Sequence, residues 1–171
     1  MGKKLLRLVF PVLFLLPLCA NATTTKDFDA NGTIQTGDSY DKIKIYNGIT
    51  VGMYDGYVGE VTGQLTSTFN MYGGSVGSIL ITGCANIYGG NINTIVGFGE
   101  VNIYGYDFVW TLGEIIPQRG VLTGKWEDGT LFSINMRDIL PMDTYVVLHE
   151  IPEPTTFLVL GLGYFLIKRR S

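Results

Sequence analysis

One short phrase returns along the chain at a fixed step. Phe69-Asn70-Met71-Tyr72-Gly73-Gly74 is followed sixteen residues later by Ala85-Asn86-Ile87-Tyr88-Gly89-Gly90, and sixteen later again by Val101-Asn102-Ile103-Tyr104-Gly105-Tyr106. A weaker copy, Val51-Gly52-Met53-Tyr54-Asp55-Gly56, lies eighteen residues before the first. Each copy is an apolar residue, a small polar one, a long apolar one, a tyrosine and a glycine turn. No copy is long enough to bury its own apolar face, so the copies must stack on one another.

Setting the repeats in columns shows what such a stack would look like. Phe69, Ala85 and Val101 share one column, and Met71, Ile87 and Ile103 share another. Strand alternation sends these inward and turns Asn70, Asn86, Asn102 and Tyr72, Tyr88, Tyr104 outward. Extending the same step pairs Leu65 with Ile81. It also groups Val76, Ile92 and Phe108, and Leu80, Val96 and Leu112, as further apolar columns. Gly73, Gly89 and Gly105 form the turn column, where the chain bends tightly or takes positive φ. The longer first interval predicts two extra residues near Tyr57 to Gly63.

The expected fold is therefore all-β. It is a short parallel β-solenoid of about four coils of 16–18 residues, with a C-terminal β-hairpin cap. Glycine in every repeat and an apolar period near two exclude a helical reading. An antiparallel sandwich is the competing architecture.

The two ends have their own character. Lys3, Lys4 and Arg7, an apolar run to Leu18 and the Ala20-Asn21-Ala22 exit make residues 1–22 a secretory signal peptide, cleaved after Ala22. An acylated Cys19 is the alternative, and the bulky Leu18 before it argues against that. At the other end, Pro152-Glu153-Pro154 precedes eleven apolar residues, Phe157 to Ile167, and then Lys168-Arg169-Arg170. As helix those eleven residues span about 16 Å against a hydrocarbon core of about 30 Å. The basic stop belongs on the cytoplasmic side.

Between the ends, residues 23–42 read as a lead-in or cap and 43–112 as the solenoid. Residues 113–150 read as a β cap and linker, and 151–171 as a separate tail. Val121 to Ile134 forms two strands about Asp128-Gly129, a hairpin turn. Tyr145 to Leu148 is a last strand, and Trp110 and Trp126 are placed to plug the open end of the stack.

The tail resembles the PEP-CTERM sorting signal of Gram-negative envelope proteins, in Pro152-Glu153-Pro154, in the apolar segment holding Gly161 and Gly163, and in Lys168-Arg169-Arg170. The resemblance implies an exported protein that passes through the inner membrane by a C-terminal hydrophobic helix. It implies processing near Pro152 to Pro154 by an exosortase, and a place at the cell surface or in extracellular polymer, associated with exopolysaccharide or biofilm. The Asn-Ile-Tyr-Gly-Gly repeats also look like those of short β-solenoid proteins that carry this tail.

Charge narrows the function classes. The whole chain has a net charge of −3, but six of its twelve basic residues lie in the end segments. With those six set aside, the other six basic residues face the chain's fifteen acids, a balance of −9, which argues against nucleic acid as a partner. No charged residue occurs between Val61 and Gly99. A β-helical polysaccharide-degrading enzyme needs carboxylates or cations grouped on one face, and the repeats offer only Asp55, Glu60, Glu100 and Asp107. No nucleophile–base set and no metal-ligand spacing is present, so no catalytic residue, metal or cofactor is expected. His149, the single histidine, is expected in solvent beside the tail. Cys84, the one cysteine left after signal cleavage, is expected as a small buried hydrophobe. A row of Tyr54, Tyr72, Tyr88 and Tyr104 suggests a stacking platform for sugar rings. Its plain structural counterpart is like side chains stacking for stability.

Overall fold

The computed structural model describes residues 24–97, 99–112, 120–137 and 146–153. The expected signal peptide with Ala20 and Ala22, and the expected sorting tail from Pro154 through Lys168, Arg169 and Arg170, lie outside the described residues.

The repeats fold as a parallel β-solenoid of about four turns. Each turn has a short strand and a long one. The short strands are β2 (Gly32–Ile34), β4 (Thr50–Met53), β6 (Thr68–Met71) and β8 (Cys84–Ile87). The long ones are β3 (Ser39–Ile45), β5 (Tyr57–Gly63), β7 (Ser75–Ile81) and β9 (Asn91–Gly97), and β1 (Thr25–Phe28) precedes them on the same side. Every short strand pairs in parallel with the next short strand, and every long strand with the next long one. Parallel neighbours exclude the sandwich, whose strands would run antiparallel.

The phrase repeated in the sequence is the short strand and the turn after it. Val51, Phe69, Ala85 and Val101 stand in register, as do Met53, Met71, Ile87 and Ile103, and all are buried. Each of the larger side chains among them, Ala85 excepted, contributes about 1.5–3 kcal/mol when taken out of water. Opposite them, Val58, Val76 and Ile92, with Val61, Ile79 and Ile95, close the core from the long strands. These long strands are bent. Two exposed or half-buried residues separate the inward pair, and the ladder skips Asp41, Gly59 and Gly77 at the bend. A Cβ at Gly77 would lie 2.4 Å from the Gly59 carbonyl oxygen, so these two coils stack this tightly at the bend because Gly77 has no side chain.

Several readings from the sequence need correction. The two extra residues of the first interval are not in Tyr57 to Gly63, which pairs at a constant offset on both sides. They lie in the turn that follows, residues 64–67, where the later coil has only 82–83. Leu65 therefore faces solvent at 78% exposure, and Ile81 pairs with Gly63 instead. Leu80 and Val96 do pair, but on the outer surface. Phe108 and Leu112 join neither column. Finally, the expected lead-in is itself ladder: β1 and β2 already pair with β3 and β4, so coiling starts before Ile43.

The reason Phe108 and Leu112 leave the pattern is visible in the phrase. The second glycine of the turn has φ of +81° at Gly74 and +94° at Gly90. That left-handed conformation turns the chain into the long strand. The third phrase carries Tyr106 at this place, so no turn forms and the chain runs on as one long strand, β10 (Glu100–Leu112). Its first part continues the short-strand ladder beside β8. Its second part, past an irregularity between Tyr106 and Val109, pairs antiparallel with β11 (Gly120–Lys125).

The hairpin about Asp128-Gly129 joins β11 to β12 (Leu131–Arg137). β12 then lies parallel to β9 and takes the place of the missing long strand. The last strand, β13 (Val146–Glu150), pairs in parallel with the first part of β10. Trp126 is buried and stacks on Phe132 at 4.1 Å, and its indole N–H donates to the Gly90 carbonyl at 2.9 Å. Trp110 packs against the same core. Both tryptophans sit at the end of the stack.

Candidate functional site

The outward residues of the short strands form two ladders. In the first, Tyr54 and Tyr72 stack at 5.0 Å between ring centres, Tyr72 and Tyr88 at 5.0 Å, and Tyr88 and Tyr104 at 4.4 Å. The planes differ by 6° to 15°, so the rings lie face on face. The stack does not stop at Tyr104. His149, brought opposite it by β13, adds a fifth ring at 4.4 Å and 9°. The histidine expected in solvent is thus the end of the tyrosine row.

The second ladder runs beside the first. The Asn86 amide N–H donates to Asn70 Oδ1 at 2.8 Å, and the Asn102 amide N–H donates to Asn86 Oδ1 at 3.1 Å. His149 Nε2 lies 2.9 Å from Asn102 Oδ1. Because the Asn102 oxygen accepts, the histidine nitrogen is the donor. All three bonds therefore point the same way, from β13 toward β6. Asn102 also donates to Glu100 Oε1 at 2.8 Å, which holds that carboxylate against the ladder.

This geometry changes what the tyrosine row can do. A sugar stacks on an open ring face. The faces between Tyr54 and His149 are taken by other rings, so Tyr72, Tyr88 and Tyr104 present edges and hydroxyls. Close packing also raises the pKa of Tyr72 and Tyr88 above the ordinary tyrosine value, through burial first and neighbouring phenols second. Cys84 sits under the asparagine row, half-buried, with its thiol 3.5 Å from Asn86 Oδ1. Burial, and then the Glu100 carboxylate, push its pKa up, so the unreactive thiol is the dominant form near neutrality.

The carboxylates named from the sequence are not brought together. Glu60 pairs with Lys42 across adjacent coils, and Asp107 with Lys125 at 2.7 Å across β10 and β11. Asp55 accepts from the Thr36 hydroxyl at 2.8 Å, which lowers its pKa. Among the described residues no three His, Cys, Asp or Glu side chains are grouped to hold a metal ion. An open cleft of about 830 Å³ lies between the Tyr72 and Tyr88 turns and the hairpin, with Asp128 and Thr130 on its rim. Asp128 is occupied there, accepting from the Thr130 amide and hydroxyl at 2.9 and 2.6 Å.

Of the tripeptide expected as a sorting motif, Pro152 and Glu153 are described and exposed. The Ile151 amide donates to the Gly105 carbonyl at 2.9 Å, so the chain is held to the solenoid up to the residue before the motif. Among the described residues no helix is long and apolar enough to cross a membrane. The chain matches no family model, no curated protein and no solved structure.

Proposed function

We propose that the protein is an exported, non-catalytic component of the cell envelope or extracellular matrix, sorted through its PEP-CTERM-like tail by an exosortase-type enzyme. The supporting observation is where the tripeptide sits. β13 ends at Glu150, Ile151 is still bonded to Gly105, and Pro152 and Glu153 are exposed directly after it. A processing enzyme at the membrane would meet an accessible motif attached to a rigid body. The hydrophobic segment and Lys168-Arg169-Arg170 would hold the chain at the inner membrane until cutting. The body would then be delivered to the surface or to extracellular polymer, with exopolysaccharide as the partner class. The carboxylates, dispersed into separate pairs, support a structural role over polymer cleavage.

The test is the intact mass of the protein recovered from its host in membrane, surface and medium fractions. The expected product begins near Thr23, ends near Pro152 to Pro154, and is found at the surface or in the medium. Replacing Pro152, Glu153 and Pro154 by alanine should leave the tail uncut. A wild-type product that keeps Ser171 and stays in the inner membrane would sink the proposal.

A further inference from the structure

Both ladders run out at the same place. The asparagine column is Asn102, Asn86, Asn70 and then Gly52, which stands in register where the next asparagine would be. Asn86 and Asn102 each donate to the asparagine above. Asn70 has only Gly52 above it, and no acceptor among the described residues meets its amide N–H. In the neighbouring column Tyr54 is the last ring and, at 56% exposure, is more open than Tyr72 at 45%. The next residue up, Gln35, turns its amide to the Thr33 hydroxyl at 3.4 Å.

The missing side chain at Gly52 leaves a hollow of about 350 Å³, walled by Tyr54, Asn70, Thr33, Thr50 and Asn31. None of its lining residues is charged. One open aromatic face, one free amide donor and flanking hydroxyls are what a neutral pyranose needs. Its C–H face packs on a ring while its oxygens exchange hydrogen bonds. We propose that this hollow is a binding site for one residue of a neutral sugar chain, seated against the outer face of Tyr54 and accepting a hydrogen bond from Asn70. The site uses the end of the tyrosine row rather than its length. The inner rings serve it by fixing Tyr54 in place. The inference goes beyond the sorting reading and does not rest on it: sorting is read from the mass of the product in the host, binding from the purified chain.

The experiment is calorimetric titration of the full chain in mild detergent with two probes, a β-1,4-linked glucose tetramer and a β-1,4-linked N-acetylglucosamine tetramer. Binding of at least one is expected. Gly52→Asn should weaken it tenfold or more, because an asparagine there fills the hollow and accepts from Asn70. The nearest atoms to a Cβ at Gly52 belong to the Tyr54 side chain, the first at 3.3 Å, so a shift of a few tenths of an ångström admits the new residue, and thermal melting checks that the variant is folded. Tyr54→Leu should weaken binding to a similar degree, and it keeps the test sharp if Gly52→Asn fails to fold. No heat with either tetramer, or binding that survives both substitutions, would overturn the proposal.

Discussion

The coils and the cap that follows them place residues in opposite ways. In the coils a side chain meets its own kind one turn away: tyrosine on tyrosine, asparagine on asparagine, Met71 on Ile87. In the cap it meets something else. Tyr106 faces Lys125, Trp110 faces Leu122, and Trp126 reaches across to the Gly90 carbonyl. Repetition makes a ladder that each added coil extends, but it cannot end itself, because the last coil always exposes an unpaired edge and an open core. The cap ends it by borrowing. β12 keeps the parallel direction against β9 and then hands the sheet to antiparallel β11 and β10. On the other side β13 adds His149 to the tyrosine row.

If closure rests on unlike contacts, the cap should fail first and at single residues. Trp126→Ala removes a buried indole, its stack on Phe132 and its bond to Gly90. The expected loss is about 3–5 kcal/mol. In hydrogen exchange the amides of Leu122 and Ile134 should lose protection before those of Ile79 and Val61. Loss of protection in cap and coils together would mean that the two regions form one cooperative unit and do not differ in how they fail.

The coils should instead spread a loss between neighbours. Tyr88→Ala breaks two stacks, with Tyr72 and Tyr104, and should cost about 1–3 kcal/mol in urea denaturation. The cap residue Leu131 is 80% exposed and buries little apolar area, and Leu131→Ala should stay within about 0.5 kcal/mol of the parent. Equal effects at the two sites would remove the special standing of the ladder.

The same contrast explains what could be read in advance. The core columns through Phe69 and Met71 were legible because each inward residue faces its own alignment partner. The outward asparagine and tyrosine columns were legible for the same reason. The turn at 64–67 was not: an insertion of two residues shifts an alignment without saying in which segment it lies, so Leu65 was set against Ile81. The run-on of β10 had a signal, the Tyr106 that replaces the second turn glycine, but its partner β11 repeats nothing. His149 had none. It enters the tyrosine row as a different residue type, forty-five positions from Tyr104, and only the β10–β13 register brings them together. The sugar-platform reading took the row as a line of open faces, and stacking distance, which no sequence column contains, decides that only the end face is open.

The smallest expected effect concerns pH. Tyr72 and Tyr88 both titrate above the ordinary value of 10.0, because burial and the adjacent phenols disfavour the phenolate. A pKa raised in the folded state means that the fold binds the proton more tightly than the unfolded chain. The stabilisation is therefore complete below the unfolded value and is lost as pH rises through the folded one. The urea midpoint should show no tyrosine-linked decline up to about pH 10, then fall, while phenolate absorbance reports part of the tyrosines ionising late. The fall should be shallow, since the ring edges border solvent and their charges are screened. Phenols that all ionise together at the ordinary value, with no loss of midpoint, would show that the stacked rings are not coupled and that the ladder is no more than four separate phenols in a row of coils.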